Sequence, residues 1–375
     1  MVRVVSLLIL ILVGLLPLRA QTTRYASLVS SPVLQQADSG KLSIQVDMVG
    51  FFKNNEYFSP VAVGQTLPGV ASVFALRYQL GGVFKAEAGA YAVKYSGREP
   101  FEDMQPFVRL QYSITPYLHL VMGNLYGGIN HRLIEPMYQW ERHFTANPES
   151  GIQALLHTNH WFADIWVDWQ HFIKRGDPVP EVLTFGTSVA WRIKDDDSRF
   201  NFTIPLQLLI YHRGGQIDTS EEPMVVLGNL ATGLSMCLRT DHKWVRSLGL
   251  DLYAVGYWNQ YSNKIFRPYD EGLGYYPVFT VDAFPFKFVA GYWHAHKYYA
   301  FEGEPLFGSF DPYNPEQQLR IRNLLIFKII FDKQIFKGVT MGARVETYSD
   351  LNRDKTDYSF GIHLRFNQLF HLKLK

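Results

Sequence analysis

The chain is written in alternation. In HWFADIWVDWQHF (160–172), Trp161, Ala163, Ile165, Val167 and Trp169 share one parity, and Asp164, Asp168 and Gln170 the other. Strand side chains alternate between faces, so the segment is a strand with one unbroken apolar row and one mixed polar row. The same period recurs elsewhere. Leu42, Ile44, Val46 and Met48 oppose Ser43, Gln45 and Asp47, while Phe74, Leu76, Tyr78 and Leu80 oppose Ala75, Arg77 and Gln79. Phe200, Phe202, Ile204 and Leu206 oppose Arg199, Asn201, Thr203 and Gln207, and Tyr358, Phe360, Ile362 and Leu364 oppose Ser359, His363 and Arg365.

The pattern predicts about sixteen strands, with fourteen as the lower alternative. They fall at 41–52, 70–80, 83–94, 105–114, 117–124, 151–157, 160–172, 181–193, 199–212, 224–238, 244–258, 274–284, 287–298, 320–332, 336–348 and 357–366. The connections alternate between long and short. Short ones centre on Gly81-Gly82, Thr115-Pro116, Thr158-Asn159, 194–198, 240–243, Pro285 and 332–334; long ones include 53–69, 127–150, 259–273 and 300–318. Trp161 and Trp169 bracket about 26 Å of strand, or about 19 Å of depth at a tilt near 45°. That matches an apolar band framed by aromatic girdles at the two faces of a bilayer. A soluble, secreted all-β carbohydrate-active protein is the competing reading. Its apolar rows would face a protein core and its aromatic side chains would serve as sugar platforms.

The amino terminus sets the compartment. Arg3 is a short positive region, 4–18 is apolar, and Leu18-Arg19-Ala20 resembles a cleavage site, so 1–20 reads as a signal peptide removed after Ala20. Residues 21–40 are then a periplasmic N-terminal segment, too short for a plug domain, and 41–375 form the barrel. No later stretch approaches the ~18 apolar residues of a spanning helix. Cys237 is the single cysteine, so no internal disulfide forms. Aromatic residues make up 15% of the chain and charged residues 19%, below the usual quarter. A net charge of +2 leaves no basic footprint for nucleic acid.

In this architecture the chain resembles the bacterial outer-membrane β-barrels, most nearly the sixteen-stranded porins, over residues 41–375. The resemblance lies in strand and loop pattern and not in a motif. It implies an all-β, antiparallel up-and-down transmembrane barrel in a Gram-negative outer membrane, with both termini periplasmic. Outer-membrane lipid and the barrel-assembly machinery are the implied partners. A porin-type third external loop, folded inward, corresponds to 125–150. The chain departs from the pattern at its end, HLKLK, where such barrels often finish on an aromatic residue; Phe366 or Phe370 would replace it.

If the apolar rows face lipid, the opposite rows line a lumen. Lys41, Arg77, Arg320, Arg322, Lys328, Arg344 and Arg365 then form a basic wall opposite Asp164 and Asp168. Opposed walls set up a transverse field that orients polar solutes. The leading functional expectation is a porin-like channel for passive diffusion of small polar solutes. The alternative is a loop-occluded barrel, a ligand-binding or scaffold component of a cell-surface or secretion complex. In that case Glu56, Tyr57, Glu135, Tyr138, Trp140 and Glu141 would offer a polar-aromatic recognition surface. His157 and His160 lie near Thr158, but no Ser-His-Asp/Asn arrangement meets at one site, so an enzyme is not expected. His294 and His296 share a face and begin a metal site without a third ligand, so neither metal nor cofactor is expected.

Overall fold

Each alternating segment becomes a strand because its two rows face different surroundings. The computed structural model describes residues 28–99, 103–194, 198–261 and 267–373. The signal peptide expected at 1–20 lies outside the described residues. The strands are β1 Leu42–Glu56, β2 Thr66–Leu80, β3 Phe84–Tyr95, β4 Asp103–Ser113, β5 Leu118–Asn124, β6 Ser150–His157, β7 Trp161–His171, β8 Val182–Arg192 and β9 Phe200–Arg213. They continue as β10 Val225–Arg239, β11 Ser247–Asn259, β12 Glu271–Ala283, β13 Phe286–His296, β14 Phe310–Asp311, β15 Asn314–Gln318, β16 Ile321–Phe336, β17 Val339–Asp350 and β18 Lys355–His371. All except β14 and β15 join one closed antiparallel barrel of sixteen strands in chain order. β1 closes on β18 from Ser43↔His371 to Glu56↔Tyr358. Closure removes the sheet edges, which lipid could not satisfy. β14 and β15 form a small hairpin inside the connection from β13 to β16.

Exposure follows the predicted parity. Along β7, Trp161, Ile165 and Trp169 are 45%, 44% and 41% exposed, whereas Asp164, Trp166 and Asp168 are 0%, 3% and 7% exposed. The apolar row therefore faces outward to lipid. Trp161 stacks on Trp191 of the next strand, with centroids 5.8 Å apart, near the end of the barrel that carries the termini. Inside, the Trp166 ring lies flat over Gly186, where a Cβ would come within 2.0 Å of it. Only glycine allows that approach.

Several strands outrun their predicted ends. β1 continues to Glu56, β2 starts at Thr66 and β18 reaches His371. Ladder hydrogen bonds do not need an apolar row, so pairing continues beyond the bilayer where alternation of hydrophobicity has stopped. The outermost connection 351–354 between β17 and β18 is short for the same reason. Otherwise the short turns lie with the chain termini and the long loops at the opposite, external end. Among the described residues, the lumen receives 28–40 from the end with the termini, and 125–149 and 298–311 from the other.

Candidate functional site

The inward loop 125–149 carries charges complementary to the walls it meets. His131, at the end of a helical turn spanning Gly128–His131, sits between two carboxylates. Its Nδ1 lies 2.8 Å from Asp164 Oδ2 on β7 and its Nε2 lies 2.6 Å from Glu149 Oε2. The imidazole stacks on Trp166 at 3.5 Å. Burial alone would lower its pKa, but Glu149, Asp164 and their hydrogen bonds outweigh this and raise it to about 10. His131 is therefore an imidazolium at neutral pH.

Across the lumen, Glu135 pairs with Lys328 of β16 and Arg344 of β17. Glu346 completes the group, 2.8 Å from each of the same two cations. Glu141 accepts from Lys53 at 2.6 Å and Asn55 at 2.8 Å, both on β1. Gln207 of β9 accepts the Ile134 N–H at 2.9 Å. The loop is thus fastened around most of the circumference. The second inward segment, 298–311, locks onto it: Tyr298 donates to the Pro136 carbonyl at 2.9 Å, and Glu304 accepts from Tyr57 at 3.0 Å and Gln139 at 3.1 Å. Arg322 donates to Asp350 at 2.6 Å and to the Leu306 carbonyl at 2.8 Å.

This arrangement corrects parts of the sequence reading. Asp164, Arg322, Arg344 and Arg365 lie in the lumen, but each is paired, so the transverse field is largely discharged by the loop and by neighbours. Arg365 is held bidentately by Asp47 at 2.8 and 2.6 Å. Arg77 is inside at the terminal end, 3.9 Å from Asp38. Asp168 accepts the Ser150 N–H at 2.7 Å and borders a cavity. Lys41 and Arg320 do not line the lumen. Each precedes its strand, so alternation does not govern it, and Arg320 instead donates to His296 on the outer rim at 3.0 Å. Glu56 falls on the outward row of β1, bonded by Asn54 at 2.8 Å. Glu135, Tyr138, Trp140 and Glu141 are buried. They form the packing of an internal plug, not an open recognition surface, because their charges find partners inside.

A second polar cluster lies on the lipid-facing outside, near the external rim. Asn323 of β16 is the cross-strand partner of His294 on β13. Its Oδ1 accepts from His294 Nδ1 at 2.7 Å and from the Tyr292 hydroxyl at 2.9 Å, while its Nδ2 donates to Asn352 at 2.7 Å. A carbonyl oxygen only accepts, so Nδ1 carries a proton toward Asn323, and in the neutral imidazole Nε2 is the nitrogen left to accept. His296 and Arg320 stand one step further out. Two rows toward the membrane middle, Phe279, Phe288, Ala290, Phe327, Ile329 and Val345 line an apolar groove of about 350 Å³. Ala290 keeps it open because its neighbours across the ladder are Phe279 and Phe327.

Among the described residues, no group of three or more His, Cys, Asp or Glu side chains is arranged to hold a metal ion. The His294–Asn323 pair was visible in part from sequence: His294, with His296, stands on an otherwise apolar row, whereas Asn323 was not marked out. Their contact was not, because it depends on the register of β13 with β16. His131 and Glu149 carried no signal at all, being set by the path of a loop.

The model of the lipid A 3'-O-deacylase-type family matches residues 34–375. The chain belongs to that family. No curated protein matches it at the sequence level. Its barrel is similar to the outer membrane protein OprD from Pseudomonas aeruginosa, with 8% identity, a TM-score of 0.51, and 90% of this chain and 97% of that one covered. It is also similar to a loop L8 deletion mutant of OmpT, an outer membrane protein of Vibrio cholerae, with 10% identity, a TM-score of 0.51, and 88% and 100% covered. These likenesses show the fold: a porin-like outer-membrane barrel carries this member of a deacylase-type family.

Proposed function

We propose that the protein is an ester hydrolase acting on an acylated, anionic lipid from the outside of its barrel. The observation that carries this reading is the His294–Asn323 pair on the lipid-facing row, above an apolar groove. The family's name describes removal of an O-linked acyl chain from lipid A, and this is the place on the molecule where such a bond would meet a base. The sequence offered no assembled catalytic group; the family match and the cross-strand pair together redirect the reading.

Asn323 would fix the imidazole so that Nε2 takes a proton from water. The resulting hydroxide attacks the ester carbonyl, the acyl C–O bond breaks as the adduct collapses, and the departing alkoxide recovers the proton from His294. A fatty acid and an alcohol result. General base catalysis of this kind contributes about 10²–10⁴-fold. The groove would hold the acyl chain, and Arg320, whose Nε donates to His296, would face an anionic headgroup.

The test is fatty acid release from lipid A in mixed micelles, followed by mass spectrometry. His294→Ala should lower the rate at least about 100-fold while the closed barrel persists on unboiled gels. No release by the native protein, or equal release by the variant, overturns the proposal.

A second reading, passive diffusion of small polar solutes, is favoured by two cavities of about 380 and 160 Å³ that border the plug inside the lumen. The plug itself supports the loop-occluded alternative. Conductance in planar bilayers separates the two.

A further inference from the structure

We infer that one half of the lumen is a two-chamber solute pathway, and that the segment 28–40 is a strap closing it at the end that carries the termini. The inference rests on the diffusion reading above.

The two halves of the lumen differ. On the side of β13, β16 and β17, Met137, Trp293, Tyr298, Leu306 and Phe307 are fully buried and fill the space. Along the wall from β1 to β8 lie the two cavities. The outer one, about 380 Å³, is bordered by Gln105, Asp168, Gln170, Thr184 and Glu302. The inner one, about 160 Å³, is bordered by Asp47, Tyr91, Arg109, Arg365 and Ser30. One partition serves both: Tyr138, Arg142 and the stretch Ala146–Glu149 border each cavity. A single turn of loop therefore stands between two chambers in series.

The floor of the inner chamber is the strap. Ser30 donates its N–H to Asn130 Oδ1 at 2.7 Å and its hydroxyl accepts from Arg365 at 3.3 Å. Gln111 of β4 donates to the Pro32 carbonyl at 2.5 Å, and Gln79 of β2 donates to the Gln35 carbonyl at 2.6 Å. Leu28 is buried in the core. The bonds at Ser30, Pro32 and Gln35 involve side chains and lie outside the barrel ladder; Gly40, at the strap's root beside β1, donates its N–H to the Gln79 carbonyl at 2.8 Å. The strap can leave without opening a strand pair, as a segment of low local stability does.

The chambers also select. Glu149 and Arg142 border both; to these the outer one adds Asp168 and Glu302 with the His131 imidazolium, and the inner adds Arg109 and Arg365 with Asp47. Each chamber sets cations beside carboxylates and no wall carries one sign throughout, so the pathway fits small neutral or zwitterionic solutes.

The experiment is swelling of proteoliposomes holding the mature full chain, with arabinose, glycine and potassium chloride as probes. Gln79→Ala with Gln111→Ala loosens the strap, and Leu28→Asp expels it. Unboiled gel mobility confirms that each barrel is closed; if Leu28→Asp does not assemble, the double variant decides. The expected result is slow arabinose and glycine entry into native vesicles and at least tenfold faster entry with the strap variants, with the salt lagging behind. Native vesicles as permeable as the variants would remove the gate and leave the diffusion reading standing. If neither native nor variant vesicles admit the probes, both fail. Salt entering as fast as arabinose overturns the assigned solute class.

Discussion

Residue His131 shows how a buried charge is tolerated inside this barrel. A lone imidazolium there would be costly, and Asp164 and Glu149 on either side make it favourable. Its folded pKa, about 10, lies above the ordinary value near 6.5. The stability it adds is therefore complete below about pH 6.5 and is lost as pH rises through about 10. Thermal unfolding of native protein and of His131→Gln should differ at pH 6 and converge above pH 10. A constant gap across that range would mean that His131 acts only through packing on Trp166. The two aspartates that looked equivalent in sequence should separate too. Asp168→Asn, beside the cavity, should shift the reversal potential of any current toward anions. Asp164→Asn should instead loosen the loop. Equal shifts from both would contradict the pairing of Asp164 with His131.

At the scale of elements, the loop 125–149 is held by ion pairs at opposite walls, and these are strong only while complete. Glu135→Gln removes one of the two carboxylates that Lys328 and Arg344 share. Breaking one partner of such a buried group costs about 3–5 kcal/mol. The loop should then become cleavable by an external protease in intact cells, and resistance equal to native would show that Glu135 is dispensable. On the outer surface, Ala290→Phe should fill the groove between Phe279 and Phe327 and slow fatty acid release about tenfold, on the order of 1.4 kcal/mol. Unchanged release would place the acyl chain elsewhere. The strands themselves were legible because a two-residue period has one physical cause, two faces in two solvents. Arg320 and Glu56 were misplaced because they lie where strands begin or end: Arg320 escapes alternation, and Glu56 continues it outward on a strand longer than its apolar row.

For the whole molecule, closure is the dominant fact. Every barrel strand has two neighbours, so the ladder has no exposed edge. Unboiled protein from the outer-membrane fraction should run as a compact species and shift on heating; a soluble protein indifferent to boiling would remove the membrane reading. The sequence by itself determined the strand number, their order, the lipid-facing row of each strand and the end that carries the long loops. These follow from local periodicity and chain connectivity, which need no knowledge of distant residues. Only the tertiary structure decided what fills the lumen and what stands beside His294. Loop 125–149, the strap at 28–40 and the ladder from β13 to β16 join residues far apart in the chain, and no local pattern encodes which charge a loop will meet across a barrel.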